Sequence, residues 1–198
     1  MIKTLPFQFD QDKLLTDLYE VLDAFDIKRA EQLCLTYAPD KPKHPDHNIY
    51  QGCGSLNYEV GLRGGEDLEW IKRKDSLTEK DFTAFIPELK HTYFYHVYEE
   101  LKKIYNIGRV RIVMLHPNRC LTWHKDVSKR IHIPIITNPG NKLVIEDNVY
   151  FLPTGKTYEV QTTNMHSAFN GGKSKRYNLL MSTVPTDIEE QKFNETLR

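Results

Sequence analysis

The chain has little cysteine, no net charge and no long apolar run, and each shortage removes a class of protein. Its three cysteines, Cys34, Cys53 and Cys120, are an odd number without CxxC spacing, which argues against a disulfide framework and a structural zinc knot. Lys plus Arg number 27, and so do Asp plus Glu; no overall field draws the protein to nucleic acid or to an acidic membrane surface. No apolar stretch approaches the roughly 20 residues that span a bilayer. "MIKTLPFQFDQDK" lacks the apolar centre and small-residue cleavage site of a secretory signal. Internal repeats and low-complexity tracts are missing too. These absences lead us to expect a cytoplasmic protein with neither nucleic acid nor membrane as partner, working as a monomer or homodimer.

What is present fits one domain, since 198 residues suffice to bury a core. "DQDKLLTDLYEVLDAF" carries Leu14, Leu15, Leu18, Val21, Leu22 and Phe25 at helical spacing. Residues 39–66 are rich in Pro, Gly and Asp and read as loop with a short strand. Within residues 48–70, Tyr50, Tyr58, Arg63 and Trp70 stand among glycines, as in a lid over a site or a plain surface loop. Ser76 or Thr78 can cap a second helix, Ser76 standing three residues before Glu79 at capping-box spacing. An apolar stripe then runs from Phe82 to Ile104, divided at Pro87. From "RVRIVML" onward, eight short β-branched or aromatic segments alternate with turns such as "NPGN", "PTGK" and "NGGKSK". This texture predicts a mainly β protein: an antiparallel barrel or jelly roll with helices packed on one outer face. Residues 1–108 form a helical and loop buttress, 109–186 the β core and 187–198 a C-terminal tail.

Polar residues interrupt these otherwise apolar segments. In "LTWHKDVSKRIHIPI", His124 and Asp126 stand two apart, so on a strand they face one side about 6.6 Å apart along the chain. His166, opening "HSAFN" later in the β core, is the best candidate for a third ligand. Two histidines and one carboxylate suit non-haem Fe(II) and leave coordination positions open. A half-buried strand histidine hydrogen-bonded to Asp126 also accounts for the first pair. Arg176 stands ten residues after His166, beyond the tight "NGGKSK" turn; a guanidinium aimed into a barrel calls for an anion, and a strand-end surface arginine is the alternative. Arg130 and His132 share one face of "RIHIPII", with Ile131, Ile133 and Ile135 on the other.

The pieces "LHP", "HKD", "RIHIPIITNP", "FLPTGKTYEV" and "HSAFNGGKSKRYNLL" together resemble the aspartyl/asparaginyl β-hydroxylase-like Fe(II)/2-oxoglutarate dioxygenases over residues 109–184. The first hundred residues carry no such match. The resemblance implies a double-stranded β-helix, the cupin-like jelly roll. It implies that His124, Asp126 and His166 hold Fe(II), and that Arg176 binds the distal carboxylate of the cosubstrate 2-oxoglutarate. Arg130 and His132 match the arginine-x-histidine pair near the cosubstrate's other end. Asp126 sets this chain closer to small microbial members, because the animal peptide hydroxylases lack that carboxylate. A serine that helps bind the cosubstrate in the animal enzymes aligns with Val113.

The activity implied is hydroxylation of an unactivated C–H bond with O2, releasing succinate and CO2. The substrate would be a small molecule or peptide, on an amino acid or peptide side chain. Two other readings stay open: a cupin-like metalloenzyme working without 2-oxoglutarate, and a non-catalytic jelly-roll binding module. Trp123 either lines the pocket or packs behind the sheet, and packing is the expectation.

Overall fold

The carboxylate of Asp10 accepts hydrogen bonds from the backbone N–H groups of Asp12 and Lys13, 3.1 Å each, and so starts the first helix, α1 (Gln11–Ala24). Its stripe of Leu14, Leu18 and Val21 is buried, as the spacing predicts. The protein is described here by a computed structural model covering residues 1–25, 31–40, 53, 56, 58–62, 68–72 and 77–195. The proposed lid falls mostly outside the described residues, as does Ser76.

The first part of the chain is less purely helical than expected. It supplies β1 (Ile2–Leu5), β2 (Gln32–Cys34), β3 (Thr36–Tyr37), β4 (Tyr58–Leu62), β5 (Leu68–Lys72) and β6 (Ala84–Phe85). β3 pairs with β6, and β4 with β5. The helix α2 (Tyr93–Lys102) is much shorter than the apolar stripe that announced it. Pro87 opens a separate 3-10 turn, Pro87–Leu89, where its missing N–H costs nothing. α2 buries Phe94, Val97, Tyr98 and Leu101.

The β core follows as β7 (Ile107–Leu115), β8 (Arg119–Cys120), β9 (Arg130–Ile136), β10 (Asn141–Ile145), β11 (Asn148–Tyr150), β12 (Thr157–Val160), β13 (His166–Asn170) and β14 (Arg176–Thr183). One antiparallel sheet has the order β1-β12-β9-β14-β7-β2, the other β11-β10-β13-β8. From β7 onward the chain passes repeatedly between the two sheets, which is the topology of a jelly roll. Strands β1 and β2 extend the larger sheet at its two edges. Residues expected to be a tail form α3 (Asp187–Glu195), tied to the preceding fold by Lys80, which pairs with Asp187 at 3.5 Å and Glu190 at 3.2 Å. Among the described residues no helix is long and apolar enough to cross a membrane.

The larger sheet has two unlike faces, because successive side chains on a strand point opposite ways. Val110, Ile112 and Met114 of β7, Ile131, Ile133 and Ile135 of β9, and Tyr177, Leu179 and Met181 of β14 join the helices in the main apolar core. That core therefore lies outside the barrel. The alternate positions, Arg109 and Arg111, Arg130 and His132, Asn178 and Ser182, are buried on the other face. Two small apolar clusters pack separately from it, Leu143, Ile145, Tyr158, Val160 and Ala168 in one and Cys34, Ala38, Leu77 and Phe82 in the other.

Candidate metal centre

Beyond β8 the chain leaves regular pairing. Cys120 stands opposite Phe169, yet His124 stands opposite His166, so one additional residue has been taken up on the His124 side. The expected strand through Asp126 is thus an irregular extended segment, offset as in a β-bulge, and such offsets re-aim side chains. His124 and His166 exchange both backbone hydrogen bonds, 3.0 and 2.8 Å, and direct opposition puts their rings on one face with centroids 4.3 Å apart. The N–H of Asp126 is held by Thr162 O at 2.8 Å.

The remaining ring nitrogens define what this pair can do. His124 Nδ1 lies 2.6 Å from the carbonyl of Thr122, and His166 Nδ1 lies 2.9 Å from that of Asn164. A carbonyl only accepts, so each Nδ1 carries a proton, and the tautomer this fixes has its lone pair on Nε2. Burial pushes the pKa of His166 down, against the pull of Asp126, which favours the neutral ring. Asp126 Oδ2 is 3.6 Å from His166 Nε2 and accepts from Arg130 Nε at 2.9 Å. Burial alone would raise the Asp126 carboxyl; the charge and hydrogen bond of Arg130, with the two imidazoles, outweigh it and hold the group ionised. The ligand atoms of His124, Asp126 and His166 lie within 4.8 Å of one another. Two imidazoles and an ionised carboxylate are a donor set that suits a divalent transition metal.

Further along the inner face, His132 Nδ1 lies 2.9 Å from Asn178 Nδ2. With Asn178 donating, the ring proton sits on Nε2. Both His132 Nε2 and Asn178 Oδ1 are buried without a partner among the described residues, which is costly unless something meets them. Burial, reinforced by Arg176, pushes the pKa of His132 well down. Arg176 has no ion-pair partner among the described residues, and burial pushes its guanidinium down to about 10. Val113 is buried opposite Asn178.

The sequence matches the profile of the family described as Aspartyl/Asparaginyl beta-hydroxylase over residues 86–185, half of the chain. The chain belongs to that family. For this hydroxylase-family chain no curated protein gives a match. Similar solved structures include a cupin domain from Bordetella pertussis Tohama I, 17% identical, covering 38% of this chain and 79% of that one with a TM-score of 0.34. Another is a predicted oxalate decarboxylase from Thermotoga maritima, 14% identical, covering 43% and 72% with a TM-score of 0.35. A third is a cupin 2 conserved barrel domain protein from Salinispora arenicola, 12% identical, covering 44% and 71% with a TM-score of 0.33. The jelly-roll assignment rests on the strand pairings themselves.

Arg130 is held between two carboxylates. A cosubstrate contact is implied for it, but its guanidinium is taken up between Asp126 and Glu79, the latter 3.2 Å from Nη1. Glu79 is a functional candidate that sequence reasoning missed. The capping-box reading gave it to a helix start; instead it lies on a 3-10 turn, Glu79–Asp81, and Thr78 pairs with Asp81. Glu79 is buried against Arg109, whose Nη2 is 2.8 Å away. Trp123, expected to pack, is 47% exposed beside His124.

Proposed function

We propose that the protein is an Fe(II)/2-oxoglutarate-dependent oxygenase that hydroxylates a C–H bond of an amino acid or peptide side chain. Hydroxylated product, succinate and CO2 would be formed from substrate, O2 and 2-oxoglutarate. The observation that carries this reading is the convergence of His124, Asp126 and His166 on one point, in a barrel whose inner face also holds Arg176, without an ion-pair partner among the described residues.

The donor chemistry fits the metal and the cosubstrate. His124 and His166 offer Nε2 lone pairs fixed by the Nδ1 contacts, and Asp126 offers a carboxylate kept ionised by Arg130. Bound there, Fe(II) supplies the oxidising chemistry, activating O2 at the expense of the keto acid. Arg176 suits the distal carboxylate as a planar two-pronged donor. His132, its proton on Nε2 by the Asn178 contact, is a donor for a carboxylate oxygen. The barrel walls then have to orient substrate and limit water. No separate acid or base is required of the chain.

A succinate-release screen against free amino acids and short peptides tests the reading. Product should carry one added oxygen atom, with release dependent on Fe(II) and 2-oxoglutarate. Oxidation of substrate without 2-oxoglutarate would favour a cupin-like enzyme of another kind.

A further inference from the structure

Glu79 lies outside the segment matched by the family, residues 86–185, and touches none of the three metal-ligand candidates in any hydrogen bond or ion pair. Its surroundings nevertheless lead to one of them. Arg130 is buried and spans two carboxylates: Nε donates to Asp126 Oδ2 at 2.9 Å, and Nη1 donates to Glu79 Oε1 at 3.2 Å. Glu79 is fixed in turn. Its oxygens accept from Arg109 Nη2 at 2.8 Å, from Arg109 Nε at 3.0 Å and from the Arg109 backbone N–H at 3.0 Å.

A second feature was shaped around the same side chain. A Cβ at Gly108 would stand 2.6 Å from Glu79 O, 2.8 Å from its Cβ and 2.9 Å from its Oε2. The absence of a side chain at Gly108 is what lets the 3-10 turn press Glu79 onto β7.

Arg130 alone would leave a buried cation free to draw on Asp126, weakening that carboxylate as a ligand and leaving its angle loosely held. A second carboxylate on the opposite prong divides the cation's charge and fixes the plane of the guanidinium, because a planar fork is oriented by two contacts better than by one. Partners behind a metal ligand tune affinity in this way. We infer that Glu79, seated by Gly108 and Arg109 and acting through Arg130, is a positioning residue for the metal carboxylate Asp126. Arg130 accordingly belongs to the metal site's support rather than to the cosubstrate's contacts. The inference rests on reading His124, Asp126 and His166 as the metal site.

The test is calorimetric titration of metal-free protein with Mn(II), on wild type, Glu79→Gln and Gly108→Ala, each first verified as folded by circular dichroism at the titration temperature. Gly108→Ala keeps every polar group and only displaces Glu79. Both variants should bind Mn(II) about 10–100-fold more weakly than wild type, and Glu79→Asp should recover part of the loss. Thermal midpoints lowered with Mn(II) affinity unchanged would make Glu79 a structural residue and overturn the inference. If either variant fails to fold, the other decides; if both fail, Arg130→Lys, which keeps the charge and loses the fork, must weaken Mn(II) to the same extent or the inference falls. Failure of wild type to bind Mn(II) removes the metal reading and this inference together.

Discussion

His124 and His166 stand directly across from each other in an isolated antiparallel bridge, their ring centroids 4.3 Å apart. Because each ring has its Nδ1 tied to a backbone carbonyl two residues before it, the pair is oriented before any metal arrives. Replacing His166 with Ala removes one lone pair and leaves the other ring facing empty space. Mn(II) affinity should then fall by more than the about 10–100-fold typical of losing an outer partner. Titration by calorimetry checks this; wild-type affinity in that variant would exclude His166 as a ligand.

Arg176 should matter to the cosubstrate and not to the metal. A hydrogen bond to a charged group contributes about 1.5–3 kcal/mol, so Arg176→Met is expected to raise the KM for 2-oxoglutarate about 10–100-fold. Mn(II) affinity should stay at the wild-type value. Steady-state kinetics and calorimetry separate the two, and an unchanged KM would place the distal carboxylate elsewhere.

The two faces of β14 predict opposite consequences for neighbouring residues. Leu179 is fully buried in the helix-side core, and Leu179→Ala should cost about 2–5 kcal/mol of stability while metal affinity holds. Asn178, next to it, faces the barrel and holds His132. Asn178→Asp can only accept from Nδ1, so Nε2 would lose its proton; the expected result is a raised KM for 2-oxoglutarate at near-normal stability. Urea unfolding and steady-state kinetics together read both variants.

Stability of the metal-free protein should decline in acid through two windows. Burial and Arg176 depress His132 below its ordinary 6.5, and burial depresses His166 likewise, so below about 6.5 the unfolded chain binds more protons and stability falls as pH drops. Glu79 is raised by burial but lowered further by Arg109 and Arg130, to about 2 from 4.5. Its contribution is present above 4.5 and is lost as pH falls toward 2. Urea midpoints measured from pH 8 downward should trace both declines, and His132→Gln should reduce the upper one, leaving the part that His166 contributes.

Much of this was legible in the residues. Seven of the eight β segments hold a strand because alternation and turn signals are local and mutually consistent, "RIHIPII" being the clearest, whereas "CLTWHKD" gives only Cys120 to β8. The same alternation separated Arg130 and His132 from Ile131, Ile133 and Ile135. What stayed hidden depends on distance or offset. The single extra residue between Cys120 and His124 shortens β8 to two residues, and nothing in "CLTWHKD" marks it. Glu79 looks like a solvated helix-start residue until β7 and β9 bring Arg109 and Arg130 to it from 30 and 51 positions away. Trp123 read as core because aromatic residues usually are, yet the irregular segment turns it outward.

The most direct measurement is an anaerobic titration of the metal-free protein with Fe(II) and 2-oxoglutarate, followed by visible absorption. A weak band that requires both additions, saturates at one equivalent of each and vanishes in His166→Ala is the predicted result. Wild-type protein that takes up no Fe(II), or gives the same spectrum with and without 2-oxoglutarate, would contradict the account.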